Sequence, residues 1–319
     1  MSQTYGNTYD AGGSAVSSSG GMREDLSDIL TKVNLAETPM VNLLDETEAD
    51  NPVHNWPTLL VKPSVTGYGA SSTPTQNAQV EGAFITMAAA TPYVVYNNYT
   101  QISWIPFSIS ETMKNVRFAG VNNIEEDQAE VAVSRLGMDT ENAYLNGVAS
   151  AGSSTTARQM NGIGAWCGTA QAIQKTGSAA TFATTTGNLV LETLLQGIYT
   201  NSTDRADFVL VNPTNQSAIN SWTANVTKYQ EADKYLLSAF ISVYQSSFGK
   251  TGGVKLIMDL FMNVNTFYAG KLENFKKSYL RKPYGKKLAT TGDATNRYVV
   301  LESTIEQHNP YSCGSLVIS

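Results

Sequence analysis

The strongest constraint in this sequence is one long helix signal between Val121 and Gly147. Ile124, Val131, Met138 and Leu145 recur every seven residues, and Val121, Ala132, Leu136 and Ala143 fall within a turn of that line. The spacing predicts a single apolar stripe on a helix of about 25 residues, roughly 35–40 Å long. Asn122 is the expected N-cap, with Glu125 three residues on in the capping-box position. Glu125, Glu126 and Asp127 place negative charge at the positive end of the helix dipole. Gly147 is expected to stop the helix as a C′ glycine. Gly137 is expected to mark a bend or a close contact, because glycine inside a helix costs about 1 kcal/mol relative to alanine.

Burying such a stripe needs a substantial core, and a chain of 319 residues with 42% apolar side chains can supply one large or two ordinary domains. Charged residues make up only 15%, against a usual share of about a quarter. Ser, Thr, Asn, Gln and Gly fill the difference, a surface suited to packing against other proteins. The formal net charge of −6 conceals a segregation. Residues 1–60 carry nine acids against Arg23 and Lys32, whereas Lys271 to Arg297 carries eight bases against Glu273 and Asp293. Opposite-sign blocks at opposite ends suit contact between copies, with Asp45, Glu46 and Glu48 facing a neighbour's Lys276, Lys277, Arg281, Lys282, Lys286 and Lys287. Phe275, Tyr279 and Tyr284 interleave with those cations, so phosphate contact with a nucleic acid is the alternative, and a solvated loop the plainest reading.

In chain order, residues 1–21 read as a Gly-, Ser- and Thr-rich tail. A short amphipathic turn follows with Leu26, Ile29 and Leu30 on one side, then Thr38-Pro39 and a second apolar patch from Met40 to Leu44. Patches spaced along an acidic segment are too small for a core and are expected to lie across another surface. Val53 to Val61 reads as a strand interrupted by Pro57, and Tyr93 to Phe107 as a second β arm with Thr100, Ile102 and Trp104 on one face. The polar stretch Ser64 to Ala78 joins them into a hairpin far larger than an ordinary loop. Beyond the long helix, Leu189–Tyr199 is expected to be a helix burying Leu191, Leu194, Leu195 and Ile198. Asp207–Val211, Val254–Met258, Phe267–Ala269, Tyr298–Leu301 and Leu316–Ile318 are expected as strands, with Asn212-Pro213 capping and starting a helix.

The residues offer little catalytic chemistry. Gly249-Lys250-Thr251 lacks the first glycine of a phosphate loop, since position 244 is Tyr244, and reads as a turn. His54 and His308 each sit beside Asn at the edge of an element, where a structural role is expected. Cys167 and Cys313 form neither a CxxC motif nor a disulfide framework. Glu125, Glu126 and Glu130 are explained by the helix terminus. No catalytic, metal or cofactor-binding residue is assigned, and no cofactor is expected. The absence of a signal-peptide core or long apolar run points to synthesis and folding in a cytoplasm, with no membrane partner.

In their order these features resemble the major capsid protein of tailed double-stranded DNA phages, with its Hong Kong 97-like fold. Arg23-Glu24-Asp25-Leu26-Ser27-Asp28-Ile29 with Glu37-Thr38-Pro39, then His54-Asn55-Trp56, and later Asn98-Tyr99-Thr100-Gln101-Ile102, are similar to one large subfamily of these proteins. Leu145-Asn146-Gly147 followed by Asn161-Gly162-Ile163 looks like that family's exit from its spine helix. The resemblance implies an α+β fold: an N-terminal arm (1–52), a long β-hairpin E-loop (53–107), a peripheral domain (108–186 plus 296–319) around a spine helix (122–146), and an α/β axial domain (187–295). It implies a non-enzymatic structural subunit that assembles with itself into pentamers and hexamers of an icosahedral head, the virion capsid, around non-specifically held DNA. Scaffolding, portal and decoration proteins are the further candidate partners. The arm starts near Met1, so a separate scaffolding protein is expected in place of a built-in one. Lys62 is the only lysine of the excursion, and no cross-linking chemistry is carried over to it. The rivals are an encapsulin-like compartment shell, a phage tail component, or a Ser hydrolase; the last lacks a GxSxG nucleophile elbow.

Overall fold

In the computed structural model the long helix signal is realised as Ile124–Asn146. The structure describes residues 37–59, 61, 80–82, 84, 90–116, 121, 123–182, 187–222, 243–289 and 292–319. Leu26, Ile29 and Leu30, the tail, the stretch Ser64 to Ala78 and Asn122 lie outside the described residues.

The elements run α1 (Pro39–Leu43), β1 (Asp45–Glu48), β2 (Val53–Thr58), β3 (Val94–Tyr99), β4 (Gln101–Ser110), α2 (Glu111–Asn115), α3 (Ile124–Asn146) and α4 (Ile163–Cys167). They continue through β5 (Ile173–Gly177), α5 (Ala179–Phe182), α6 (Asn188–Ser202), β6 (Phe208–Val211), α7 (Pro213–Ser221), β7 (Val243–Tyr244) and β8 (Val254–Met258). The chain closes with β9 (Thr266–Gly270), β10 (Phe275–Lys287), β11 (Ala294–Gln307) and β12 (Cys313–Ile318).

Helix α3 is capped by Asn123, whose side chain accepts from Glu125 N, one residue later than the sequence suggested. Glu125 does not fold back as a capping box. Its carboxylate pairs with Arg297 on β11 and lies 3.9 Å from Lys114 Nζ. The buried line is Ala132, Leu136, Thr140 and Tyr144, joined by Glu141 and Leu145. Ile124, Val131 and Met138 of the heptad line are only partly buried. The stripe is rotated because the last two turns are enclosed on two sides, which draws the polar Thr140 and Glu141 inside. Gly147 is extended (φ −57°), not left-handed. A Cβ there would sit 2.5 Å from the Ala143 carbonyl oxygen and 2.7 Å from that of Met160, so close approach is what requires glycine. Gly137 has open space apart from Thr38 Cγ2 at 4.0 Å, where the arm crosses the helix.

A first sheet, four-stranded in the order β1-β10-β11-β4, lies against α3. Ala132 and Leu136 pack on Tyr279, Val299 and Leu301, with Ile105 and Phe107 alongside. A second sheet, six-stranded in the order β5-β12-β9-β6-β8-β7, packs on α6. Leu191, Leu194, Leu195 and Ile198 are fully buried there against Val209, Val211, Phe267, Ala269 and Leu316. Each such side chain stabilises the fold by about 1.5–3 kcal/mol. Between the sheets a third cluster gathers Tyr144, Leu145, Ile163 and Trp166 with Phe208, Phe275 and Ile305. Asn212 caps α7 as expected, its side chain accepting from Thr214 N, with Pro213 at the first helical position.

The expected domain boundaries divide these strands differently. β5 and β12, placed in the peripheral ranges by the resemblance, belong to the second sheet, and β10, placed in 187–295, belongs to the first. The reason is local. β10 and β11 are consecutive antiparallel strands joined by a short connection, and β12 turns straight out of β11 to put Leu316 and Ile318 against α6. The basic block, read as a loop or contact segment, is therefore one long strand and the start of the next. The second β arm also divides. β2 and β3 form a separate two-stranded hairpin, with Pro57 tolerated opposite Val95, and after Thr100 the chain enters β4 of the first sheet.

Candidate assembly surface

The arm enters the described structure at α1. Pro39 occupies the first helical position and Thr38 makes no side-chain cap. Instead Met40 N and Val41 N donate to Glu141 Oε1 and Oε2, each at 2.7 Å. Met40 and Leu44 are buried in the core of the same chain. The surface on which this arm patch lies is thus the subunit's own.

The acids that follow pair in register with the basic strand: Asp45 with Lys276, Glu46 with Lys277 and Glu48 with Tyr279, parallel in β1 and β10. Lys277 Nζ lies 3.1 Å from Glu46 Oε1 and donates to the Val41 carbonyl oxygen at 2.7 Å. Glu46 and Lys277, one acid and one base of the two blocks, thus already meet within one subunit. The two ends of the chain are long-range neighbours within one fold, and separation in sequence hid that.

The excursion is rooted on the far end of β11. Trp56 Nε1 donates to the Gln307 carbonyl at 2.9 Å, and Asn98 Nδ2 to the carbonyls of Ile305 (2.8 Å) and Asn161 (3.0 Å). Trp166 packs on Trp56 and Tyr96 with ring centroids 5.8 and 6.3 Å away. Two buried acids organise the polar side of this root. Glu302 accepts from Arg158, from Thr100 Oγ1 at 2.8 Å and from Arg281 Nε at 2.7 Å, fixing the point where β3 passes into β4. Glu306 accepts from Ser278 and from Thr47 Oγ1 at 2.6 Å, and meets His54 Nε2 at 2.9 Å and His308 Nε2 at 2.7 Å. Burial alone would raise the Glu306 carboxyl, but the hydrogen bonds from His308, His54, Ser278 and Thr47 hold it well below the usual carboxylate range. Both histidines are thus held by one buried carboxylate of the same chain.

The other half of that sheet face is open among the described residues. Ile102 and Trp104 alternate outward on β4 and are 50% and 66% exposed, and Trp104 meets Tyr298 edge-on at 6.1 Å. Tyr284 is exposed beside them on β10, and Lys282, Lys286 and Lys287 stand exposed along the same distal stretch. Of the residues singled out from sequence, Asp45, Glu46, Glu48, Lys276 and Lys277 are brought together, Arg281 is taken up by Glu302, and the three distal lysines stand apart. Sequence reasoning missed Glu141, Glu302 and Glu306. The last two were signalled by acids spaced evenly through the apolar and hydroxyl run Val299 to Gln307.

Among the described residues no group of three or more His, Cys, Asp or Glu could hold a metal ion, and no helix is long and apolar enough to cross a membrane. Cys167 and Cys313 are free, buried and adjacent; burial, then Cys313, pushes the Cys167 thiol up.

The family model described as SU10 major capsid protein matches residues 2–318. No curated protein sequence matches the chain. Among solved structures, one described as the capsid of a native GTA particle aligns with a TM-score of 0.68 at 12% identity, covering 96% of this chain and 99% of that one. A chain from Gordonia phage Cozz aligns at 0.63 and 13% identity over 100% and 99%, and one from Mycobacterium phage Che8 at 0.56 and 15% over 93% and 97%. At such identities the likeness is one of fold, the Hong Kong 97-like fold. The match along nearly the whole sequence carries the rest: this chain belongs to the SU10 major capsid protein family, and its role is that of a structural subunit of a virion shell.

Proposed function

We propose that subunits of this chain tile as pentamers and hexamers into a closed icosahedral head around double-stranded DNA, acting through repeated interfaces and not through catalysis. The observation that favours this is the half-covered outer face of the first sheet. The chain's own β2–β3 hairpin seats over the Glu302–Gln307 end, while Ile102, Trp104 and Tyr284 remain exposed on the continuation of the same face. An apolar patch of this kind beside a projecting excursion suits burial by another copy in a lattice. Lys282, Lys286 and Lys287 stand exposed on β10, and phosphates of the packaged DNA are the counter-charge proposed for them. Assembly in the cytoplasm of a bacterial host, aided by scaffolding and portal proteins, completes this reading.

Negative-stain microscopy of the purified protein tests it, with Trp104→Glu as the variant. Wild type is expected to form closed shells, and Trp104→Glu to remain a folded, unassembled subunit. Shells that form unchanged with Trp104→Glu would remove the sheet face from the lattice.

A further inference from the structure

The loop that follows the spine closes on itself and then grips the root of the excursion. Gly162 N donates to the Gly147 carbonyl at 2.9 Å, and Ser150 and Gln159 exchange two backbone hydrogen bonds at 3.0 Å. Asn161 Oδ1 accepts from Ala149 N at 2.7 Å. A Cβ on Gly162 would lie 2.7 Å from the Tyr144 carbonyl oxygen, so the base of the loop is pressed against the last turn of α3. From that base Arg158 reaches Thr100: Nε donates to its carbonyl, Nη2 to its Oγ1 at 2.9 Å, and the same guanidinium meets Glu302. Met160 N donates to Gln101 Oε1 at 3.4 Å. Asn161 N donates to Asn98 Oδ1 at 2.8 Å, and Asn98 Nδ2 returns to the Asn161 carbonyl at 3.0 Å. Thr100 is fully buried, and its N–H donates to the Pro52 carbonyl at 2.9 Å, at the base of the β2–β3 hairpin.

We propose that the loop 147–162 is a brace, with Arg158 as its positioning residue, that fixes the angle at which the β2–β3 hairpin leaves the subunit and ties that angle to the end of the spine helix. A two-stranded hairpin is marginal alone, so its direction has to be imposed at its base. Thr100 is the single residue between β3 and β4, which belong to different sheets, and it is the place where the angle can change. The planar guanidinium holds donors at fixed spacing, and here it joins the loop, the excursion root and β11 at one point. Trp56 and Asn98 also bind the hairpin to β11 through Gln307 and Ile305, but those bonds do not reach the spine. A small error at the pivot is magnified outward. β2 alone, six residues long, reaches roughly 20 Å, so a tilt of about 15° moves its far end by about 5 Å. The brace lies within one subunit and stands or falls apart from how subunits tile.

Pulsed electron spin resonance on the unassembled full-chain subunit tests this, with nitroxide labels at Val95→Cys on β3 and Val133→Cys on α3, both exposed positions. Cys167 and Cys313 are buried and stay unlabelled. The parent is expected to give one narrow label-to-label distance. Arg158→Ala is expected to broaden that distribution about twofold, and Arg158→Lys, which keeps the charge and loses the fork, to do the same. Arg281→Ala takes an equal charge from Glu302 on the β10 side and is expected to keep the narrow distance. Unchanged amide exchange over α6 shows that each variant is folded. Should the Arg158 variants unfold, Thr100→Val, which deletes only the hydroxyl, is read in their place and is expected to broaden the distance. A broad parent distribution, or a narrow one in the folded variants of Arg158 or Thr100, overturns the proposal. Equal broadening by Arg281→Ala overturns it too, since charge at Glu302 would then account for the effect.

Discussion

Glu46 and Lys277 come from the two oppositely charged ends of the chain and meet inside one subunit, Oε1 to Nζ at 3.1 Å. Their side chains are unequally placed: that of Lys277 is 8% exposed and that of Glu46 is 55% exposed. The buried partner therefore bears most of the cost of breaking the pair.

Lys277→Met strips the Val41 carbonyl of a charged donor and is expected to cost the subunit about 1–3 kcal/mol. Glu46→Gln removes only a solvent-screened partner and is expected to cost less than about 1 kcal/mol. Urea unfolding midpoints of unassembled protein measure both. Unchanged midpoints with lost assembly would mean that the pair acts between subunits after all.

The spine separates two substitutions that the heptad line treats alike. Leu136→Asp places a carboxylate against Tyr279 and Leu301 and is expected to abolish folding, at a cost of several kcal/mol, about 4 or more. Val131→Asp stands at a partly exposed position and is expected to leave a folded, less stable subunit. Far-UV circular dichroism with thermal unfolding distinguishes them.

Glu306 gathers the arm, the excursion root and β10 on one carboxylate. Because its folded value is depressed, its contribution is present above the ordinary carboxylate range and is lost as pH falls through and below that range. Glu306→Gln is expected to cost about 2–3 kcal/mol at neutral pH. It should also lower the loss of thermal stability between pH 6 and pH 3 relative to wild type. Parallel acid-induced losses in the two proteins would show that the carboxylate is not what acid removes.

The distal lysines allow a test of charge in the assembled particle. Neutralising Lys282, Lys286 and Lys287 together to Gln is expected to leave shell formation intact and to weaken DNA retention, most visibly as salt is raised. Failure of DNA-free shells to form would assign these lysines to a neighbouring subunit.

Local signals in the sequence survived folding where both partners of a contact were close together. The helix burying Leu191, Leu194, Leu195 and Ile198 and the Asn212-Pro213 start are cases where spacing and caps sufficed. The basic block misled because its long cationic side chains masked a strand alternation in which Phe275, Lys277 and Tyr279 all turn inward. Glu141 was invisible for a different reason: its partners, Met40 N and Val41 N, lie about a hundred residues earlier. The same holds for Thr100, whose break between two strands is set by Arg158 and Glu302. Site residues defined by tertiary partners leave little trace in periodicity.

The parallel seating of β1 on β10 also has a consequence for synthesis. Among the described contacts, the groups that hold residues 39–48 in place, Glu141, Lys277, Ser278 and Glu306, all follow them in sequence and are made after them. The arm therefore waits unseated until both β10 and β11 exist, and its docking is a late, long-range step in folding.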